Sequence, residues 1–130
     1  MDEDELKRRT KLFGLRIIKL VAALPNTVHA RIIGGQLVRA GTSVGANYRA
    51  ACRARSKAEF ISRLGVVEEE ADESEFWLTM IVESGLMKLR LVQSLITEAH
   101  ELVAIMTASR ISASKNQRTE KERRGRKSKI

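Results

Sequence analysis

Apolar residues recur along this chain in steps of three and four. The longest unbroken run is Phe60, Leu64, Val67, Ala71, Ser74, Leu78 and Ile81. Such spacing draws one narrow stripe along a helix and turns it toward a partner helix. Ser56 and Glu59 precede the run at the separation of a capping box. In that motif the hydroxyl accepts from the N–H three residues on, and the carboxylate reaches back to the N–H of Ser56. A helix is therefore predicted to start near Ser56. Its other side, with Glu68, Glu69, Asp72 and Glu75, reads as a solvated face.

Three further stripes share this period. Ile33, Leu37, Ala40, Val44, Tyr48 and Ala51 line one helix, with Arg31, Arg49 and Arg53 on its opposite side and Arg39 nearer a flank. Gly34, Gly35, Gly41 and Gly45 fall inside it, and each interior glycine costs about 1 kcal/mol relative to alanine. Gly41 and Gly45 are read as points of close helix approach. Gly34–Gly35 reads either as another such point or as a break. Ahead of this helix, Phe13, Ile17, Leu20 and Leu24 form a stripe, and Leu12, Leu15, Ile18 and Ala22 lie beyond its edges. Pro25 is expected to end that first helix, and Asn26 or Thr27 to cap the next. After a turn near Gly85, a fourth stripe of Leu89, Val92, Ile96, Ala99, Val103 and Met106 runs beside a second one of Leu91, Leu95, Leu102 and Ile105.

The connections are short, so consecutive helices should be antiparallel neighbours. The expectation is an all-α bundle whose core holds Phe60, Leu64, Val67, Leu78, Leu37 and Val44. The surplus apolar surface on the first and fourth helices is expected to be buried between copies of the chain.

Composition adds the charge. The chain of 130 residues has a formal net charge of +8, unevenly spread. Residues 31–60 hold six cations and one acid, and residues 115–130 hold eight cations and two acids, while residues 61–114 are net acidic. The chain is divided accordingly into a bundle domain, 1–114, and a basic tail, 115–130. The tail has almost no apolar side chain and is expected to lack order at least at its end. The single Cys52 leaves no internal disulfide, no 18-residue apolar run is present, and the reading is a cytoplasmic protein with no membrane segment.

The stretch QLVRAGTSVGANYRA, followed by SKAEFISRL and EADESEFWL, resembles the rRNA intervening-sequence protein family. The matching positions are Arg39, Ser43, Asn47, Tyr48, Arg49, Phe60, Glu70, Glu73 and Trp77, while Ala50 stands where that family usually has Glu. The resemblance implies an up-down four-helix bundle and a homo-oligomer, a pentamer in known members. A related branch serves as the accessory subunit of a retroelement reverse transcriptase and binds nucleic acid through a basic surface.

The inventory for catalysis is thin. His29 and His100 each lack the Glu three residues before them that a carboxylate-bridged di-iron bundle needs, and Cys52 has no CxxC partner. No phosphate-binding glycine loop is present. Glu70 and Glu73 are expected to pair with arginines or with Asn47, and Arg39, Ser43 and Asn47 to make the side-chain bonds that fix helix register. Trp77 is expected to fill core or interface. The protein is expected not to be an enzyme and to need no metal or cofactor.

The first functional expectation is electrostatic binding of RNA or single-stranded DNA. Its cations would be Arg31, Arg49 and Arg53 with Lys115, Arg118, Lys121, Arg123, Arg124, Arg126, Lys127 and Lys129 of the tail. The alternative is a protein–protein adaptor, such as an accessory subunit of a reverse-transcriptase-like enzyme, without direct nucleic-acid binding.

Overall fold

A computed structural model describes residues 1–128 as four helices, α1 (Glu3–Ala22), α2 (Val28–Cys52), α3 (Lys57–Glu83) and α4 (Leu89–Ser128). Local chemistry sets most of the ends. Asp2 accepts from the N–H of Glu5 at 2.8 Å, and Glu3, Asp4 and Glu5 place negative charge at the positive end of α1. Thr27 caps α2 by accepting from Ala30 N–H. Ser56 caps α3, accepting from Glu59 N–H at 3.0 Å. The Glu59 carboxylate reaches back one residue further than the simple capping box, to the N–H of Arg55 at 3.0 Å. α1 closes just ahead of Pro25, and Gly85 turns the chain after α3 with φ of 79°.

Each helix packs on its chain neighbours, and α1 closes the ring of four against α4. The α1–α4 contact is the thinnest and is bridged by polar groups. Arg9 donates to both carboxylate oxygens of Glu98, at 2.7 and 2.6 Å, and also to Glu101, while Arg16 donates to Ser94. A bidentate guanidinium–carboxylate pair fixes geometry as well as charge. Between α3 and α4, Arg110 donates to Glu68 at 2.8 Å.

The core follows the predicted stripes with two corrections. Leu37, Val44, Leu64, Val67 and Leu78 are fully buried, whereas Phe60 is only half-buried beside that core, because it lies one turn from the end of α3. On α4, Leu95 and Leu102 are buried together with Val92, Ala99 and Met106. Of the second stripe of α4, Leu95 and Leu102 serve the bundle's own core and Ile105 packs against it, while Leu91 stays 55 % exposed. α1 does keep surplus apolar surface, with Leu12 and Leu15 each 55 % exposed and Ile18 at 45 %. The two buried polar side chains bond to their own helices, Thr10 to the carbonyl of Leu6 and Ser74 to that of Glu70.

α2 runs unbroken through Gly34–Gly35. A Cβ on Gly34 would stand 2.9 Å from Val21 Cγ1, so that glycine is a close-approach residue, and Gly35 faces open space. Gly45 brings α2 onto the α1 backbone: a Cβ there would lie 3.2 Å from the Thr10 carbonyl oxygen. Along this seam Gly45 meets Thr10 and Lys11, and Gly41 and Thr42 meet Gly14, so numbers rise on one helix as they fall on the other.

The largest difference from expectation is at the end of α4. Through Ser128, the segment expected to lack order at least at its end continues the helix, and its last two residues lie outside the described residues. Sparse apolar content cannot offset the ordering entropy of an independent segment, yet α4 is already nucleated by the core and only has to propagate through good helix formers. Lys57 of α3 pairs with Glu120 at 3.1 Å, and residues 121–127 are exposed beyond that tie.

Candidate nucleic-acid interface

The Gly45 crossing leaves a groove on the outer side of α1 and α2. Gly14, Leu15, Ile18, Thr42, Gly45 and Ala46 line it with four cations, Lys7, Lys11, Arg49 and Arg53, around about 510 Å³ of space. Lys7 pairs with Glu3 at 3.4 Å. Lys11, Arg49 and Arg53 have no ion pair or side-chain hydrogen bond among the described residues. Cations converging without carboxylates raise the local positive potential and favour an anionic ligand.

The groove opens at one end of the bundle. The same end carries the start of α3, with Arg55 and Lys57, and through the Lys57–Glu120 pair it carries the extension of α4. Lys115, Arg118, Lys121, Arg123, Arg124, Arg126 and Lys127 are all exposed there, and Lys129 lies outside the described residues. The structure thus brings Arg49 and Arg53 to the same end as the tail cations. It does not bring Arg31 with them. Arg31 lies 18 residues from Arg49 along α2, about 27 Å at 1.5 Å per residue, and donates to Asn26 Oδ1 at 2.7 Å. Sharing a side of one helix does not put two residues within reach of one another.

Lys7 and Lys11 were missed by sequence reasoning. They begin a run with Gly14 and Ile18 in steps of four, three and four, which is the seam that α1 presents to α2. The spacing is legible in the sequence, but its direction depends on which neighbour α1 faces.

The polar residues of the 36–78 stretch are occupied locally. Ser43 donates to the carbonyl of Arg39 at 2.6 Å and Asn47 to that of Ser43 at 2.9 Å, both within α2. Among the described residues, Glu70 and Glu73 pair with neither an arginine nor Asn47. Asn47 spends its amide on its own helix, and Glu73 accepts from Trp77 Nε1 at 3.2 Å. Glu70 feels the charge of Arg39 without a hydrogen bond to it. Its carboxyl is held above the ordinary value, first by burial and then by the negative charge of Glu73. Trp77 is half-buried against the core, edge-on to exposed Phe76 with ring centroids 5.0 Å apart.

Cys52 is half-buried near Glu3 and Tyr48, and burial is the main cause that pushes its thiol above the ordinary value, which disfavours the nucleophilic thiolate. His100 is exposed and meets Glu75 at 3.5 Å. Among the described residues no group of three or more His, Cys, Asp or Glu is placed to hold a metal ion, and no helix is long and apolar enough to cross a membrane.

Residues 3–108 match the family model described as 23S rRNA-intervening sequence protein. Among solved structures, the chain is similar to a Bacteroides thetaiotaomicron protein of unknown function from the S23 ribosomal protein family. The two are 29% identical with a TM-score of 0.78, and the match covers 85% of this chain and 98% of that one. No curated protein matches the chain.

Proposed function

We propose a role that starts from kinship: this chain belongs to the 23S rRNA-intervening sequence protein family. It is a non-enzymatic, cytoplasmic homo-oligomer of antiparallel up-down bundles that binds RNA or single-stranded DNA electrostatically. The rising-against-falling contacts of α1 with α2, and the pairs Glu68–Arg110 and Lys57–Glu120, support the antiparallel arrangement. Exposed Leu12, Leu15 and Ile18 support self-association, and the resemblance favours a pentamer.

One observation carries the binding role: unpaired Lys11, Arg49 and Arg53 converge on a groove at the bundle end that also bears the exposed cations of α4. Lysines and arginines there meet phosphates as positive charges and release condensed counterions, so affinity falls steeply with salt. Few aromatics leave little for base stacking or sequence readout. The family description names ribosomal RNA, so RNA is the first ligand to test.

Fluorescence anisotropy with RNA and single-stranded DNA across a salt series tests the role. The intact chain binds with log K falling linearly in log salt. The K11E/R49E/R53E variant and the variant truncated after Ser114 each bind more weakly, with a slope shallower by about 0.7 per lost phosphate contact on single strands. Salt-independent binding, or none by the intact chain, refutes the role and leaves the adaptor as the better reading.

A further inference from the structure

We infer that a second copy of this chain docks the outer face of its α3 on the outer face of α2, with Phe76 of one copy seated against Ile32 of the other. The inference rests on the oligomeric part of the proposed function and adds which surfaces meet. Both faces leave a large apolar side chain unpartnered: Ile32 is 61 % exposed and Phe76 54 %. Gly35 lies on the receiving face with nothing within 4 Å of where its Cβ would stand, so no other part of its own chain obstructs that face.

The charges are complementary. Glu69, Asp72 and Glu73 surround Phe76 on the outer side of α3, and none forms an ion pair among the described residues. On the receiving face, exposed Arg39 also lacks an ion pair among the described residues. Opposite potentials on two surfaces of one molecule steer copies together and set their register.

The heights agree as well. Arg39 lies close enough to Glu70 to act on its charge, and Tyr48 shares a groove with Phe60. Continuing that register at 1.5 Å per residue puts Phe76 level with Ile32 and Ile33 of its own α2. A rotation about an axis parallel to the helices preserves height, so Phe76 of one copy reaches Ile32 of the next, and Glu69 comes level with Arg39. Joining two different faces gives a heterologous contact, which such a rotation closes into a ring. This seam lies toward the Pro25 end and leaves Lys11, Arg49 and Arg53 accessible at the other.

Light scattering at micromolar concentration, with circular dichroism as the fold control, tests the pairing on the full chain and on the variants Ile32→Gln and Phe76→Gln. The unaltered chain gives a multimer mass. Each variant gives the mass of one protomer with unchanged helical signal. Each variant retains one good face, so their equimolar mixture gives twice the protomer mass. A protomer mass for the unaltered chain refutes self-association altogether. A multimer in which either variant keeps the full mass, or whose variants fail to pair when mixed, overturns this inference alone. An Ile32→Gln chain of full mass with weakened RNA binding also overturns it, and assigns the face to a polyanion.

Discussion

Gly35 and Gly41 lie less than two turns apart on α2, and changing each to alanine should move stability in opposite directions. The change gives up the same backbone freedom at both sites, so the propensity gain, about 1 kcal/mol, is common to both. A Cβ at Gly35 meets nothing within 4 Å, and Gly35→Ala should therefore stabilise by nearly the full gain. A Cβ at Gly41 would stand 2.9 Å from Cγ1, 3.0 Å from Cγ2 and 3.2 Å from Cβ of Ile17. Ile17 is β-branched and fully buried, so no rotamer swing relieves all three contacts, and α1 must shift. Such overpacking costs about 1–3 kcal/mol, and the propensity gain cancels in the difference. Gly35→Ala should therefore exceed Gly41→Ala by about 1–3 kcal/mol. Urea melts with a common m-value measure that difference directly. A Gly41→Ala chain as stable as Gly35→Ala would refute the close-approach account of α2.

Leu64→Ala removes a fully buried side chain and should cost about 2–5 kcal/mol in denaturant melts, and a loss below about 0.5 kcal/mol would exclude Leu64 from the core. The hydrogen bonds from Arg9 hold the Glu98 carboxyl below its ordinary value of 4.5, so their stabilisation is present above that pH and is lost as pH falls through the folded value. Thermal melts at neutral and acid pH should show Arg9→Met losing part of this acid sensitivity, and an unchanged profile would contradict the pairing. Glu70 has the opposite sign: its folded value is raised, so its effect on stability worsens as pH rises through and above 4.5. Glu70→Gln should therefore stabilise at neutral pH and leave acid stability nearly unchanged, and a loss at neutral pH would mean that the carboxylate is favourably paired.

Local and periodic features were legible from the residues alone. The stripe from Leu64 to Ile81, the caps at Thr27 and Ser56, and the turn at Gly85 depend on interactions within a few positions, and they specify helices and their inward faces whatever the neighbours. What depended on packing was decided only in three dimensions. Periodicity does not say how wide a helix's buried face is, so only the structure shows that Leu95 and Leu102 of the second α4 stripe enter the core while Leu91 stays exposed. Composition does not say whether a polar segment starts a helix or merely prolongs one, which is why residues 115–128 continue α4. A helical wheel records angle and omits height, and height separates Arg31 from Arg49 and Arg53. The groove needs Lys7 and Lys11 from one helix and Arg49 and Arg53 from another, drawn together because Gly45 lets two backbones meet. That convergence belongs to the packed pair of helices and to neither sequence segment by itself.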